Sequence, residues 1–376
     1  MPDDQKPLPM MLQESAALPT PIATPRAENV APAAEKFRLE RIIIPIGAIL
    51  VGFAIFAMFL LLVTNAKPLA VFESIYRAGF GSWFSFQKTL IRAAPLLLTA
   101  LCVVIPAQLG LIIIGAEGAL VIGGLGAAII GFQLNGAAPL VVIVAMALAG
   151  MATGGAWIAI SGALKHYRGV NETISSLLLT YIAIALLNHA VSGPFRDPES
   201  LNKPATPPIG DINMLGNLPG VNVHVGLLFG VIACVIAAFM IYKTVPGFAM
   251  RVIGGNVRAA QLAGLAVGKI TLIACFCAGA AAGLAGMVEV AAVHGSASAA
   301  INAGYGYTGI LIAFIARHNP IAVIPAALLL AGIGTSSGLL QRSHDLPDAT
   351  VLVIQGIIFL TILASETLYG RATAAR

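Results

Sequence analysis

Residues 42–63 read IIIPIGAILVGFAIFAMFLLLV, an unbroken apolar run with Arg38 and Arg41 just ahead of it. As a helix the run rises about 33 Å at 1.5 Å per residue, enough to cross a hydrocarbon core of about 30 Å. Its residues do not alternate polar and apolar as a barrel strand must. Backbone amides left unpaired in lipid cost several kcal/mol each, so a spanning helix is the structure that remains. The same pattern recurs at Leu90–Ile114, Leu120–Leu134, Leu140–Ser161, Ile174–Val191 and Val223–Tyr242. It continues at Thr271–Val293, at a short run Tyr307–Ala316, at Ile321–Leu339 and at Thr350–Leu363. Gly and Pro interrupt 90–134 and 305–339, and each is either two full crossings or a broken helix with a re-entrant part. The expectation is an all-α polytopic integral membrane protein with about ten transmembrane helices over 41–367, some broken or re-entrant.

Composition agrees. Of the 376 residues 58% are hydrophobic and 10% charged, against about 25% charged in a soluble domain, and the mean hydropathy is +0.92. Only the lipid bilayer can cover so much apolar surface. The net charge of +5 does not indicate nucleic acid, because the basic residues are scattered between apolar runs and form no stripe. With ten crossings and the N-terminus inside, 14 of the 21 Lys and Arg lie on the inner side, which places both termini in the cytoplasm. Lys67, Arg77, Lys88 and Arg92 fit that rule worst. Residues 1–40, with seven prolines, read as a disordered cytoplasmic tail with no secretory signal peptide; 368–376 read as a second tail. The loop 193–220, rich in Pro and Gly, is expected outside as a cap over the external mouth, and the basic loop 243–270 inside.

Cys102, Cys234, Cys275 and Cys277 sit in apolar runs and read as small buried residues. No metal site, cofactor site or catalytic constellation emerges: the histidines are isolated, and no Ser or Cys has a base at hand. Gly264-Leu-Ala-Val-Gly268-Lys269-Ile270 falls short of a phosphate-binding loop. Three residues separate its glycines where four are needed, and Ile follows the Lys where Ser or Thr is required. ATP is therefore expected on another subunit.

Gly115-Ala116-Glu117-Gly118 places a carboxylate within a long apolar stretch. Glu117, Gly115 and Gly118 are read either as part of a translocation path or as the cap of a broken helix. Asn171 fits an N-cap, with Glu172 in the first turn, and is also counted among the path candidates. Glu289 and His294, at a span's end, are expected to be solvated at the interface. Gly304-Tyr305-Gly306-Tyr307 and Arg317-His318-Asn319-Pro320 flank the short run and read as helix breaks near a solute, which adds Tyr305, Tyr307 and Asn319 to the path candidates. In the inner loop Asn256 is a plausible N-cap for a short helix from Val257 to Leu265. That helix suits either a groove of a partner protein or the lipid surface.

The chain resembles the ABC-importer permeases of the branched-chain amino acid and simple-sugar group, and within it the nucleoside-type permeases. The resemblance is carried by GLIIIGAEGALVIGG (110–124), GVNETISSLLLTYIA (169–183), VIGGNVRAAQLAGL (252–265), AGAAAGLAGM (278–287) and GYGYTGILIAFIARHNPIAV (304–323), and it spans roughly residues 45–365. It implies a subunit of the bacterial inner membrane that provides a path by alternating access. The implied partners are a cytoplasmic ABC ATPase, a second permease chain (a heterodimer rather than a homodimer) and an external substrate-binding lipoprotein. It further implies that Arg251, Gly255, Asn256, Arg258, Ala259, Ala260 and Gly264 couple to the ATPase. Arg258 stands where the importer pattern has Glu, and Ile113 and Ala119 replace an Asn and a Gln of the family pattern around Glu117. Nucleosides are the first substrate expected and simple sugars the second. The rival from another class is a stand-alone secondary transporter, whose titratable relay would rest on Glu117 alone.

Overall fold

The computed structural model describes residues 31–374 apart from 65 and 201. In chain order the helices are α1 (Ala31–Val63), α2 (Pro68–Gly79), α3 (Trp83–Ala107), α4 (Ala116–Gln133), α5 (Pro139–Arg168), α6 (Glu172–Ser192) and α7 (Gly226–Lys243). They continue as α8 (Val245–Gly255), α9 (Val257–Leu262), α10 (Val267–Glu289), α11 (Tyr305–Ile315), α12 (Val323–Thr335), α13 (Ser337–His344) and α14 (Ala349–Ala374). Eight helical stretches among the described residues are long and apolar enough to cross a membrane, and Ala299–Ile315 and Ala349–Ser365 are shorter apolar ones. The protein is an all-α, multi-pass membrane protein.

Two compact units are distinguished, Met1–Ile44 and Pro45–Arg376. Of the expected N-terminal tail, 1–30 lie outside the described residues, while 31–40 are already helical because α1 starts at Ala31. At the other end α14 runs to Ala374, through most of the expected tail.

Local chemistry explains where the helices stop. α5 opens on Pro139 and closes on Gly169 at φ +68°, with Lys165 and Arg168 in its last turn, where cations favour the helix dipole. Ser82 caps α3 by accepting the Ser85 N–H at 3.1 Å, and Thr244 caps α8 by accepting the Gly247 N–H at 3.3 Å. The first interrupted region resolves into two full-length helices, α3 and α4, joined by a turn at 108–110 and an extended segment at 111–114. The second resolves differently. α11 has 11 residues and rises only about 16 Å, half a membrane, whereas α12 and α13 together run long enough to cross.

α3 lies at the centre of the Pro45–Arg376 unit, buried along most of its length and packed by α7, α10, α11 and α12. Beside it α4, α5 and α10 meet through glycines. A Cβ on Gly154 would sit 2.6 Å from the Gly279 carbonyl oxygen and 2.7 Å from Gly283 Cα, so the backbones of α5 and α10 touch. The loop 193–220, expected as a cap over the external mouth, is laced onto the segment after α10. Thr206 N–H donates to the Ala297 carbonyl at 2.9 Å, Ile209 N–H to Gly295 at 2.9 Å and Leu215 N–H to Ala291 at 2.7 Å. All four cysteines are free, three of them buried.

Candidate functional site

Two helices begin against one another. Glu117 stands in the first turn of α4 and is fully buried. One of its carboxylate oxygens, Oε1, accepts the Gly304 N–H at 2.8 Å, and Oε2 accepts the Gly306 N–H at 2.5 Å. Both donors belong to the opening of α11, whose first amides have no partner inside the helix. One carboxylate thus faces the positive ends of two helix dipoles. Gly306 is required for this fit, because a Cβ there would run into the backbone of Glu117. Thr99 of α3 donates its hydroxyl to the Tyr305 carbonyl at 3.1 Å and ties the same opening to the central helix.

The start of α4 is held from its other side by α6. A Cβ on Gly118 would lie 2.8 Å from Thr180 Cα, and one on Gly115 would lie 3.0 Å from Ser176 Cβ. The polar side chains of the Asn171–Ser176 stretch all have a place. Asn171 caps α6, accepting the Thr173 and Ile174 N–H groups at 2.9 and 3.1 Å. Glu172 pairs with Lys165 at 2.9 Å. Thr173 Oγ1 donates to the Ile112 carbonyl at 2.9 Å, and Ser176 Oγ accepts the Ile114 N–H at 3.0 Å. Ser175 Oγ lies 2.7 Å from Ser161 Oγ on α5. The stretch clamps extended segment 111–114, which delivers Glu117 to α11.

Beside this junction lies a cavity of about 510 Å³, lined among others by Arg92, Tyr305, Tyr307, Ser337, Asp348 and Gln355. That volume is in the usual range for small-molecule sites. The Arg92 guanidinium lies over the Tyr305 ring, 5.8 Å from its centroid. Nearby, Glu289 is buried, with His294 Nε2 at 3.6 Å. The expectation of interfacial solvation for Glu289 therefore fails: α10 runs on through a π-turn at Val290–His294, and the loop 193–225 covers its end. His224, in that loop, is buried too. Burial holds its pKa below the ordinary histidine value, and the Glu289 carboxylate opposes that shift.

Gly115, Glu117, Gly118 and Tyr305 therefore meet at the junction, and Tyr307 stands beside it on the cavity wall. Asn171 and Asn319 do not join them. Asn319 is exposed in the turn after α11, where its side chain accepts the Ile321 N–H at 3.0 Å. That turn contains two consecutive left-handed residues, Arg317 at φ +49° and His318 at φ +55°. Gln108 Nε2 donates to the His318 carbonyl at 3.1 Å, and Gly254 of α8 packs so closely on the Gln108 carbonyl that a Cβ would overlap it. Thr99, Gln108, Thr173, Ser175 and Ser176 escaped the sequence reading. Their signal was only a hydroxyl or amide in or beside an apolar run.

In the segment 243–270 Asn256 caps α9, with its Oδ1 accepting the Ala259 N–H at 3.0 Å. α9 stops at Leu262, short of the expected Leu265, and Gly264 turns the chain at φ +79°. Leu262 is 87% exposed and Val257 48%, and Gly255, Arg258 and Ala259 are exposed with them. Ala260 is buried as the helix's foothold. Arg251 differs from the others: it donates to the Ile241 carbonyl and lies over the Tyr242 ring, stapling α8 to α7.

A glucose ABC transporter permease of Haloferax volcanii is 31% identical over 81% of this chain and 83% of its own length. The guanosine ABC transporter permease NupP of Bacillus subtilis is 30% identical over 87% of this chain and 94% of its own. A second guanosine permease of that organism, NupQ, is 28% identical over 77% and 92%. The family model for the permease component of branched-chain amino acid transport systems matches residues 85–363. That span runs from the first turn of α3 to the apolar part of α14 and takes in both the junction at Glu117 and the exposed face of α9; the chain belongs to the family of branched-chain amino acid transport system permease components.

Proposed function

We propose that the chain is the membrane-embedded permease subunit of an ATP-driven importer of nucleosides. The observation that carries the reading is the junction at Glu117. A spanning bundle opens at a broken helix, polar groups are gathered there, and a cavity of solute size adjoins them. The inner-membrane setting is what the resemblance to bacterial importer permeases implies, and the cytoplasmic placement of both termini rests on the distribution of Lys and Arg. On this reading α9 offers Val257, Arg258, Ala259 and Leu262 to a separate ATPase subunit, which binds and hydrolyses ATP. An external lipoprotein delivers the solute. The two guanosine permeases of one organism, both similar to this chain, favour a pair of different permease chains over two copies of one.

Nucleosides come first because guanosine is named for two of the relatives. A simple sugar is the second reading, favoured by the relative named for glucose. Proteoliposomes holding the assembled complex test both. Guanosine should accumulate only with internal ATP and persist when the proton gradient is collapsed. Uptake by this chain alone, driven by a proton gradient without ATP, would replace the importer by a secondary transporter; ATP-driven uptake of glucose but not guanosine would move the substrate to sugars.

A further inference from the structure

Arg92 was among the basic residues that fitted the inside rule worst, and the structure gives the reason. It does not belong to a loop: it lies inside α3, half-buried, on the wall of the cavity. The three ion pairs among the described residues are Arg77–Glu73, Lys165–Glu172 and His294–Glu289, so none neutralises it. A guanidinium within a spanning helix is costly and is retained where it faces a polar path. Room is made for it deliberately: a Cβ on Gly334 of α12 would sit 2.7 Å from Arg92 Nε. From another helix, Asp348 reaches the same cavity at the exposed start of α14, with Gln355 further along.

We propose that Arg92 and Asp348 read the edge of a guanine-type purine nucleoside in this cavity, a specificity that rests on the importer reading above. Arginine offers only donors and a carboxylate only acceptors. A sugar hydroxyl is both donor and acceptor and has no need of such a division. A guanine edge has it: O6 and N7 form an acceptor pair that a guanidinium meets with two parallel hydrogen bonds, and N1–H and the exocyclic amine form an adjacent donor pair that suits a carboxylate. The lining as a whole pairs one cation with one anion, which suits an uncharged solute.

The test uses the assembled importer in proteoliposomes with saturating receptor, comparing guanosine with adenosine, which lacks the O6 acceptor and carries an amine in its place. Arg92→Gln should reduce the guanosine-to-adenosine uptake ratio at least fivefold. Arg92→Lys should recover only part of the ratio, because an ammonium has no planar fork. Asp348→Asn, at an exposed helix start where folding is not at risk, should lower the ratio in the same direction. An unchanged ratio in Asp348→Asn and in any Arg92 variant that assembles overturns the assignment and leaves the importer intact. A wild-type complex that carries glucose and no nucleoside removes the underlying substrate reading as well.

Discussion

Glu117 holds two backbone amides with one carboxylate, so exchanging one oxygen for an amide nitrogen tests both bonds. In Glu117→Gln the new NH₂ group faces an N–H, and a buried donor loses its acceptor at a cost of about 1–3 kcal/mol. The variant should melt several degrees below wild type in detergent and transport more slowly; equal melting and equal uptake would mean the amides need no carboxylate. A second residue gives a pH signature. His318 is half-buried against Phe314, with ring centroids 5.1 Å apart, and that partial burial keeps its pKa below the ordinary value. The unfolded chain takes up a proton near pH 6.5, before the folded one does. Stability is therefore full above that pH and falls as pH drops through the folded value. His318→Asn, whose side chain tolerates the left-handed backbone, should lose less thermal stability than wild type on going from about pH 7.5 to about pH 5.5. Asn171 and Asn256 were legible as caps in the sequence because a cap joins residues two or three apart. The partners of Glu117 stand 187 and 189 residues away, and no local pattern reports them.

Among the elements, α9 and α11 are the least legible in the sequence. The residue pattern of α9 suited lipid and partner protein equally; the structure adds that Leu262 projects almost free beyond the turn of the chain. Leu262→Glu should leave folding and membrane insertion untouched but abolish copurification with the ATPase. Retained copurification would move the docking surface elsewhere. The Gly and Pro around 305–320 marked α11 as a break, yet its length was legible only as a short apolar run. Its meaning lies in what holds each end: Glu117 at the start, and Gln108 with the left-handed turn at the finish. Gln108 also touches α8, so the half-helix spans the distance between the segment bearing α9 and the junction beside the cavity.

The Pro45–Arg376 unit owes its organisation to the backbone contact of α4, α5 and α10. Gly154→Val would force two methyl groups against the α10 backbone, which has no flexible side chain there to yield. Overpacking of this kind costs about 1–3 kcal/mol or more, and the variant should fail to accumulate in membranes. Gly338→Ala, where an added Cβ meets nothing within 4 Å, should accumulate normally. Small residues at four-residue spacing, Gly150 with Gly154 and Gly279 with Gly283, carried this contact in plain view, but a single sequence cannot say which glycine stretches face each other. The long separation between Glu117 and its partners has a consequence for biogenesis. At about 5–20 residues per second, the ribosome delivers Gly304 roughly ten to forty seconds after Glu117. Through that interval the nascent chain carries an unmatched acid at a bilayer it has already begun to enter. Chains arrested before residue 304 should be recognised as defective and degraded faster than the same fragments carrying Glu117→Leu, which a pulse-chase measurement would register.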